Sequence, residues 1–173
     1  GAHEAEAFKI YRQVLYWFDS RAPIAHYLPP AFPVFIWELQ GPEQAIYGFP
    51  AGDDVPGAVK VATQQYERTT DPEAVNRQVS ETEIAAMHAK FIAPYLPGLS
   101  PCARKTATCL YTVTKDAGFV IDTHPADERI LVVSPCSGHG FKHSAAIGEG
   151  IAQILLDGSP ALDFSAFSLA RLL

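Results

Sequence analysis

The stretch RILVVSPCSGHGFKHSAAIGEGIAQILLDG, residues 129–158, changes its hydrophobic period in the middle. Ile130–Val133 is a short continuous apolar run of the kind found in a strand covered on both faces. From Ser144 onward, Ile147, Ile151, Ile154 and Leu155 recur at helical spacing, and Asp157-Gly158 is a stop signal. Between the two lies a loop containing Gly138 and Gly140. Strand, glycine loop and helix in succession place the chain among folds that combine both kinds of element. Backbone N–H groups at such a helix start point outward with partial positive charge, so the loop is a candidate anion site. Lys142, expected on the first turn, adds a full positive charge where the helix dipole disfavours one, and so calls for a nearby anion. Gly138 and Gly140 on their own are also what a tight turn requires. His139 and His143 stand four apart with no third ligand at useful spacing, and no metal site is expected.

Upstream, FKIYRQVLYWF is rich in aromatic and branched residues and reads as a long strand, with turn signals at Asp19–Pro23. PVFIWEL and QAIYGFP read likewise, and Gly41-Pro42 between them makes a hairpin. AVKVAT follows as a short strand. Asp71-Pro72-Glu73 has the form of a helix N-cap with proline in the first turn, and Ser80 with Glu83 that of a capping box. The spacing of Ile84, Met87, Phe91 and Tyr95 predicts a helix over 81–95, stopped by Pro97-Gly98, whose apolar stripe is core packing. CLYTVT and FVID are expected as two strands joined by the turn-prone Lys115–Gly118.

With 173 residues, 48% of them hydrophobic, the chain can bury one compact core. A net charge of −6 without a Lys/Arg-rich cluster argues against nucleic acid, whose phosphates demand cationic side chains. No apolar run approaches membrane-spanning length and no signal peptide opens the chain, so no membrane association and a cytoplasmic location are expected. Cys102, Cys109 and Cys136 form no CxxC pair and are odd in number, as in a reducing compartment.

CLYTVTKDAGFVIDTHP and ILVVSPCSGHGFKHSAAIGEGIAQIL together resemble the C-terminal part of the monomeric sarcosine oxidase and N-methyltryptophan oxidase family, flavoproteins that oxidise secondary amino acids. YRQVLYWF, FPVFIWEL, YGFP and DPEAVNR resemble the substrate domain of the same family in the same order. The resemblance extends over nearly the whole chain, and the separation of Cys109 from Lys142 agrees with it. It implies FAD as cofactor, with Cys109 as the covalent thioether anchor. By the same resemblance Lys142 lies near the flavin pyrimidine edge and the substrate carboxylate, where a cation and a helix N-terminus stabilise developing negative charge. His139, Gly138, Gly140 and Phe141 belong to the same cofactor loop. Tyr47 and Tyr111 match tyrosines lining the cavity over the flavin, and Lys60 matches a lysine that assists electron transfer to oxygen. AGDDVPGA, before Lys60, is about two residues longer than the family's loop.

Gln64 stands where sarcosine oxidases carry a substrate-contacting histidine, which puts sarcosine itself in doubt. The dinucleotide-binding G-x-G-x-x-G that opens the family does not occur, and SGHGFK is no substitute for it. The expected fold is therefore α+β: a mixed-sheet substrate domain with packed helices over 1–115, and over 116–173 the C-terminal strand and helix of an FAD-binding domain. The N-terminal Rossmann half of that domain is expected to be absent. The implied function is part of an FAD-dependent oxidase of secondary amines or N-methyl amino acids that reduces oxygen to hydrogen peroxide, inactive as this segment alone. The alternative is a non-catalytic binding or assembly module on the same scaffold. Expected partners are a small amine, the absent cofactor-binding half, or a second copy joined through exposed apolar faces.

Overall fold

The computed structural model describes residues 5–41, 44–52 and 54–173. Two compact units divide the chain: Arg12–Leu110, and Tyr111–Leu173 with the N-terminal residues up to Tyr11.

A five-stranded sheet, most of it in the first unit, is built from β1 (Phe8–Ser20), β2 (Phe35–Glu38), β3 (Ala45–Phe49), β4 (Ala58–Thr63) and β5 (Leu99–Thr114). Their order is β2-β3-β4-β1-β5. The pairs β2–β3, β3–β4 and β4–β1 are antiparallel. The expected β2–β3 hairpin forms, although Pro42 of its connection lies outside the described residues. Alternate residues of a strand face opposite sides, and here the sides differ. Val14, Tyr16 and Phe18 of β1, Ile46 of β3, and Val59 and Val61 of β4 pack against Ile84, Met87 and Ile92 as the main core.

Those last three residues belong to a helical segment that starts at α1 (Glu81–Met87). Ser80 caps it through the expected box: its hydroxyl accepts from the Glu83 N–H, and the Glu83 carboxylate accepts from the Ser80 N–H. The segment then widens into a π turn, His88–Ile92, before a last turn, Ala93–Tyr95. Pro94 is the reason: it offers no N–H and its ring crowds the preceding turn. The Ala93 N–H reaches back five residues to the His88 carbonyl, opening the turn that accommodates it.

No helix starts at Asp71-Pro72-Glu73. The Asp71 carboxylate does accept the Glu73 N–H at 2.9 Å, but only one turn forms. The carbonyls of Asn76 and Gln78 are taken by the Arg12 guanidinium at 2.6 and 2.8 Å, so this stretch is extended rather than helical.

The second unit is a hairpin of β6 (Val120–His124) and β7 (Asp127–Ser134), followed by α2 (Ser144–Asp157) and two 3-10 turns, Ser165–Phe167 and Leu169–Leu172. Val120 packs with Leu169 and Leu172, and Phe119, Ile121 and Ile147 pack with Phe164 and Phe167. Arg171 closes the C-terminus onto the turn before β6, donating to the Asp116 carboxylate and to the carbonyls of Ser168 and Phe119. The Arg171 guanidinium first, then the Gly118 N–H and the Thr114 hydroxyl, hold the Asp116 carboxyl far below the usual carboxylate range. Gly158, at φ 78°, ends α2 in the left-handed conformation its stop signal predicts.

Two expectations here need correction. β7 is not covered on both faces, since Ile130 and Val133 are exposed and β6 is its only strand neighbour among the described residues. Leu155 does not join the inward stripe of α2 either: with Leu156 it faces outward, while Ile147 is buried. Among the described residues no helix is long and apolar enough to cross a membrane.

Candidate functional site

The sheet face opposite α1 gathers charged and aromatic side chains of the first unit. Lys60 sits in β4 directly opposite Trp17 of β1 on one side and Phe49 of β3 on the other. Its ammonium lies 5.1 Å from the Trp17 ring centroid and 5.0 Å from that of Phe49, within cation–π range of both. Lys105 of β5 approaches the same indole, at 4.7 Å. The Trp17 Nε1–H donates to Asp54 Oδ2 at 2.9 Å. Beneath these groups Trp17 packs with Val55, Ala58, Leu15 and Ala107. A cavity of about 350 Å³ opens beside Lys60, lined by Val34, Phe49, Pro50 and Asp54.

Cys109 follows Lys105 and Ala107 at the two-residue period of β5, which puts it on this same face. Its thiol is half-buried, and burial pushes it above its ordinary pKa while the charge of Lys60 draws it partly back. Cys102, Cys109 and Cys136 are all free thiols. Tyr47, opposite Ala62, is on the same side of β3 as Phe49. Gln64 is exposed just past the end of β4. Its neighbour Gln65 is tied down by the fully buried Gln13, whose amide donates to the Gln65 carbonyl at 2.7 Å and accepts its N–H at 2.9 Å. Lys60, Cys109 and Tyr47 therefore belong to one sheet, and Gln64 follows the end of its strand β4. Trp17, Phe49, Asp54 and Lys105 are additions from the structure; their relation to Lys60 becomes visible only once strand register is known.

The glycine loop belongs to the second unit, with Tyr111. Ser137 and Gly138 are both left-handed, at φ 55° and 79°. A Cβ on Gly138 would lie 2.3 Å from the Tyr111 ring, and one on Gly140 would collide with the Pro135 carbonyl. Both glycines are thus dictated by close approach as well as by the turn. His139 stacks on Phe119 with centroids 4.6 Å apart, and its Nδ1 lies 3.0 Å from the Ser137 carbonyl. Lys142 lies in a 3-10 turn, Phe141–His143, ahead of α2 and not in the helix's first turn; its Nζ donates to the His139 carbonyl at 3.1 Å. Phe141 is 93% exposed. A larger cavity of about 470 Å³ in this unit is lined by Asp122 and Asp163, but both carboxylates already accept hydrogen bonds, from Ser168 and Leu169 and from Ser165.

Comparison with known proteins places the chain in a family. Monomeric sarcosine oxidase of Streptomyces avermitilis is 37% identical over 166 residues, covering 95% of this chain and 43% of that protein. N-methyl-L-tryptophan oxidase of Yersinia pestis is 40% identical over 146 residues, covering 81% of this chain and 37% of that protein. Among solved structures, the open form of NikD, described as an unusual amino acid oxidase, superposes with a TM-score of 0.70 at 20% identity, over 94% of this chain and 42% of that one. This superposition bears out the α+β fold. The chain spans about 40% of the length of the relatives it matches. The sequence profile of the DAO family, FAD dependent oxidoreductase, matches residues 11–154, and the chain belongs to that family.

Proposed function

We propose that this chain is part of an FAD-dependent enzyme that oxidises a secondary amine or N-methyl amino acid and passes the electrons to oxygen. One observation carries the proposal: a half-buried thiol, Cys109, shares one sheet face with Lys60 and with the Trp17 and Phe49 rings. The donor set suits a flavin, since a thiol offers a thioether anchor, flat rings offer a wall, and fixed cations suit a group that becomes anionic on reduction. FAD, when bound, accepts two electrons and a proton from the amine and returns them to oxygen with a second proton, giving hydrogen peroxide; water then hydrolyses the imine.

The chain's own residues take distinct parts. Cys109 holds the cofactor covalently. Lys60 supplies positive charge where oxygen takes up electrons. Lys142, with the N–H groups of the Gly138–Gly140 loop, supplies positive charge at the cofactor's anionic edge and receives the substrate carboxylate. His139 orients Lys142 through its carbonyl, and the exposed Phe141 borders the cofactor. Tyr47, Tyr111 and Gln64 each contribute to recognising the amine, with the amide of Gln64 selecting an amine other than sarcosine. Residues 1–115 then serve chiefly as substrate domain and 116–173 as part of the cofactor domain. The remainder of a longer, cytoplasmic protein covers Ile130, Val133, Leu155 and Leu156, which otherwise favour self-association.

The two lysines act at different steps, and rapid kinetics on the full-length protein separates them. Loss of one preorganised cation costs about 3–4 kcal/mol, or roughly two to three orders of magnitude in rate. Lys142→Met is expected to slow anaerobic flavin reduction by substrate, and Lys60→Met the reaction of reduced enzyme with oxygen. If Lys60→Met leaves the oxygen reaction untouched, its role is wrong. Cys109→Ser is expected to abolish flavin that survives denaturing gels; persistence would transfer the anchor to Cys136. A full-length protein that purifies colourless and binds no FAD would instead favour a non-catalytic module.

A further inference from the structure

We propose that Trp17, anchored by Asp54, is the positioning residue for the Lys60 ammonium; this rests on the role of Lys60 proposed above. Lysine carries its charge on a flexible four-carbon stem and loses much rotamer freedom when fixed. Here the register places an aromatic residue directly opposite it on each neighbouring strand, Trp17 on β1 and Phe49 on β3. The ammonium is about equally far from both rings, at 5.1 and 5.0 Å. Aromatic faces hold a cation by their quadrupole without offsetting its charge as a carboxylate would, so the field at the site is kept.

The indole is itself fixed. Trp17 is 5% exposed, and its Nε1–H is bonded at 2.9 Å to the Asp54 carboxylate from the β3–β4 loop. An anion at the ring N–H pushes electron density onto the indole face and strengthens its hold on a cation. Lys105, 4.7 Å from the same ring, adds like charge that keeps Lys60 on its own side. The β3–β4 connection thereby delivers Asp54 to Trp17.

NMR of the full-length protein carrying ¹³C-lysine reads the clamp directly, because ring currents move the Lys60 ε-CH₂ protons upfield. Trp17→Leu is expected to remove the larger, indole share of that shift and leave the Phe49 share, Asp54→Ala to reduce it by less, and Trp17→Phe to keep more of it than Trp17→Leu. In the oxygen half-reaction, Trp17→Leu is expected to slow the rate roughly three- to thirtyfold, the span of a cation–π contact, with flavin reduction by substrate slowed clearly less. Asp54 is exposed, so its variant carries the test even if Trp17→Leu does not fold. A Lys60 shift untouched in Asp54→Ala, or equal slowing of both half-reactions, overturns the proposal. Lys60→Met is the control: if it leaves the oxygen reaction unchanged while the shift still depends on Trp17 and Asp54, the clamp stands and the assigned role of Lys60 falls.

Discussion

The two faces of the five-stranded sheet are made by the same strands and have opposite characters. Toward α1, Val14, Phe18, Ile46, Val59 and Val61 are almost completely buried, and the one phenol among them, Tyr16, is raised to about 12 by burial and by nearby Glu83. One residue along each strand, on the other face, stand Trp17, Lys60 and Tyr47. Cations persist there because aromatic rings and solvent receive them, whereas a lone ammonium on the α1 side would face a large desolvation cost. A strand's period of two thus lets a single sheet carry its apolar core on one side and its lysines and tryptophan on the other, with little interference between them.

Stability measurements on paired variants can break this division. The largest loss is expected for Phe18→Ala, which empties a wholly buried site on the packed face and should cost about 3–5 kcal/mol in denaturant unfolding. Next comes the alkaline limb of the pH profile. Tyr16 titrates near 10 when unfolded and about 12 when folded, so its contribution is complete below pH 10 and disappears as pH rises from there toward 12. Tyr16→Phe should flatten that limb. Ser80→Ala removes the cap of α1 and should cost about 1 kcal/mol, with Ser80→Asp restoring most of it. The smallest effect belongs to the face opposite α1: Lys60→Met keeps the stem between its rings, loses only the cation–π attraction and should cost about 0.5–1 kcal/mol. A loss there comparable to that of Phe18→Ala would make that face structural and dissolve the comparison.

Features encoded within a few residues were legible in the sequence. The Ser80–Glu83 box, the β1 run, the β3 and β4 strands and the Gly158 stop depend on neighbours in the chain, and each forms as expected. Features decided by distant groups were not. The Asp71 turn fails to become a helix because Arg12, far away in sequence, takes the carbonyls that follow it. The π turn at His88–Ile92 reflects a contest between Pro94 and the apolar stripe, which periodicity alone does not resolve. In the candidate site, Lys60, Cys109 and the glycine loop were singled out by family resemblance alone. Trp17 and Asp54 were not, since their link to Lys60 exists only across strands.

The chain's two tryptophans fall on opposite sides of this division. Trp17 is nearly enclosed between cations, whereas Trp37, 45% exposed, meets Tyr95 edge-on at 5.6 Å on the helix side. Their emission should accordingly separate, blue for the enclosed indole and red for the wetter one. Each face therefore carries its own optical reporter, and replacing either indole by phenylalanine leaves a chain whose remaining fluorescence reports one side of the sheet alone.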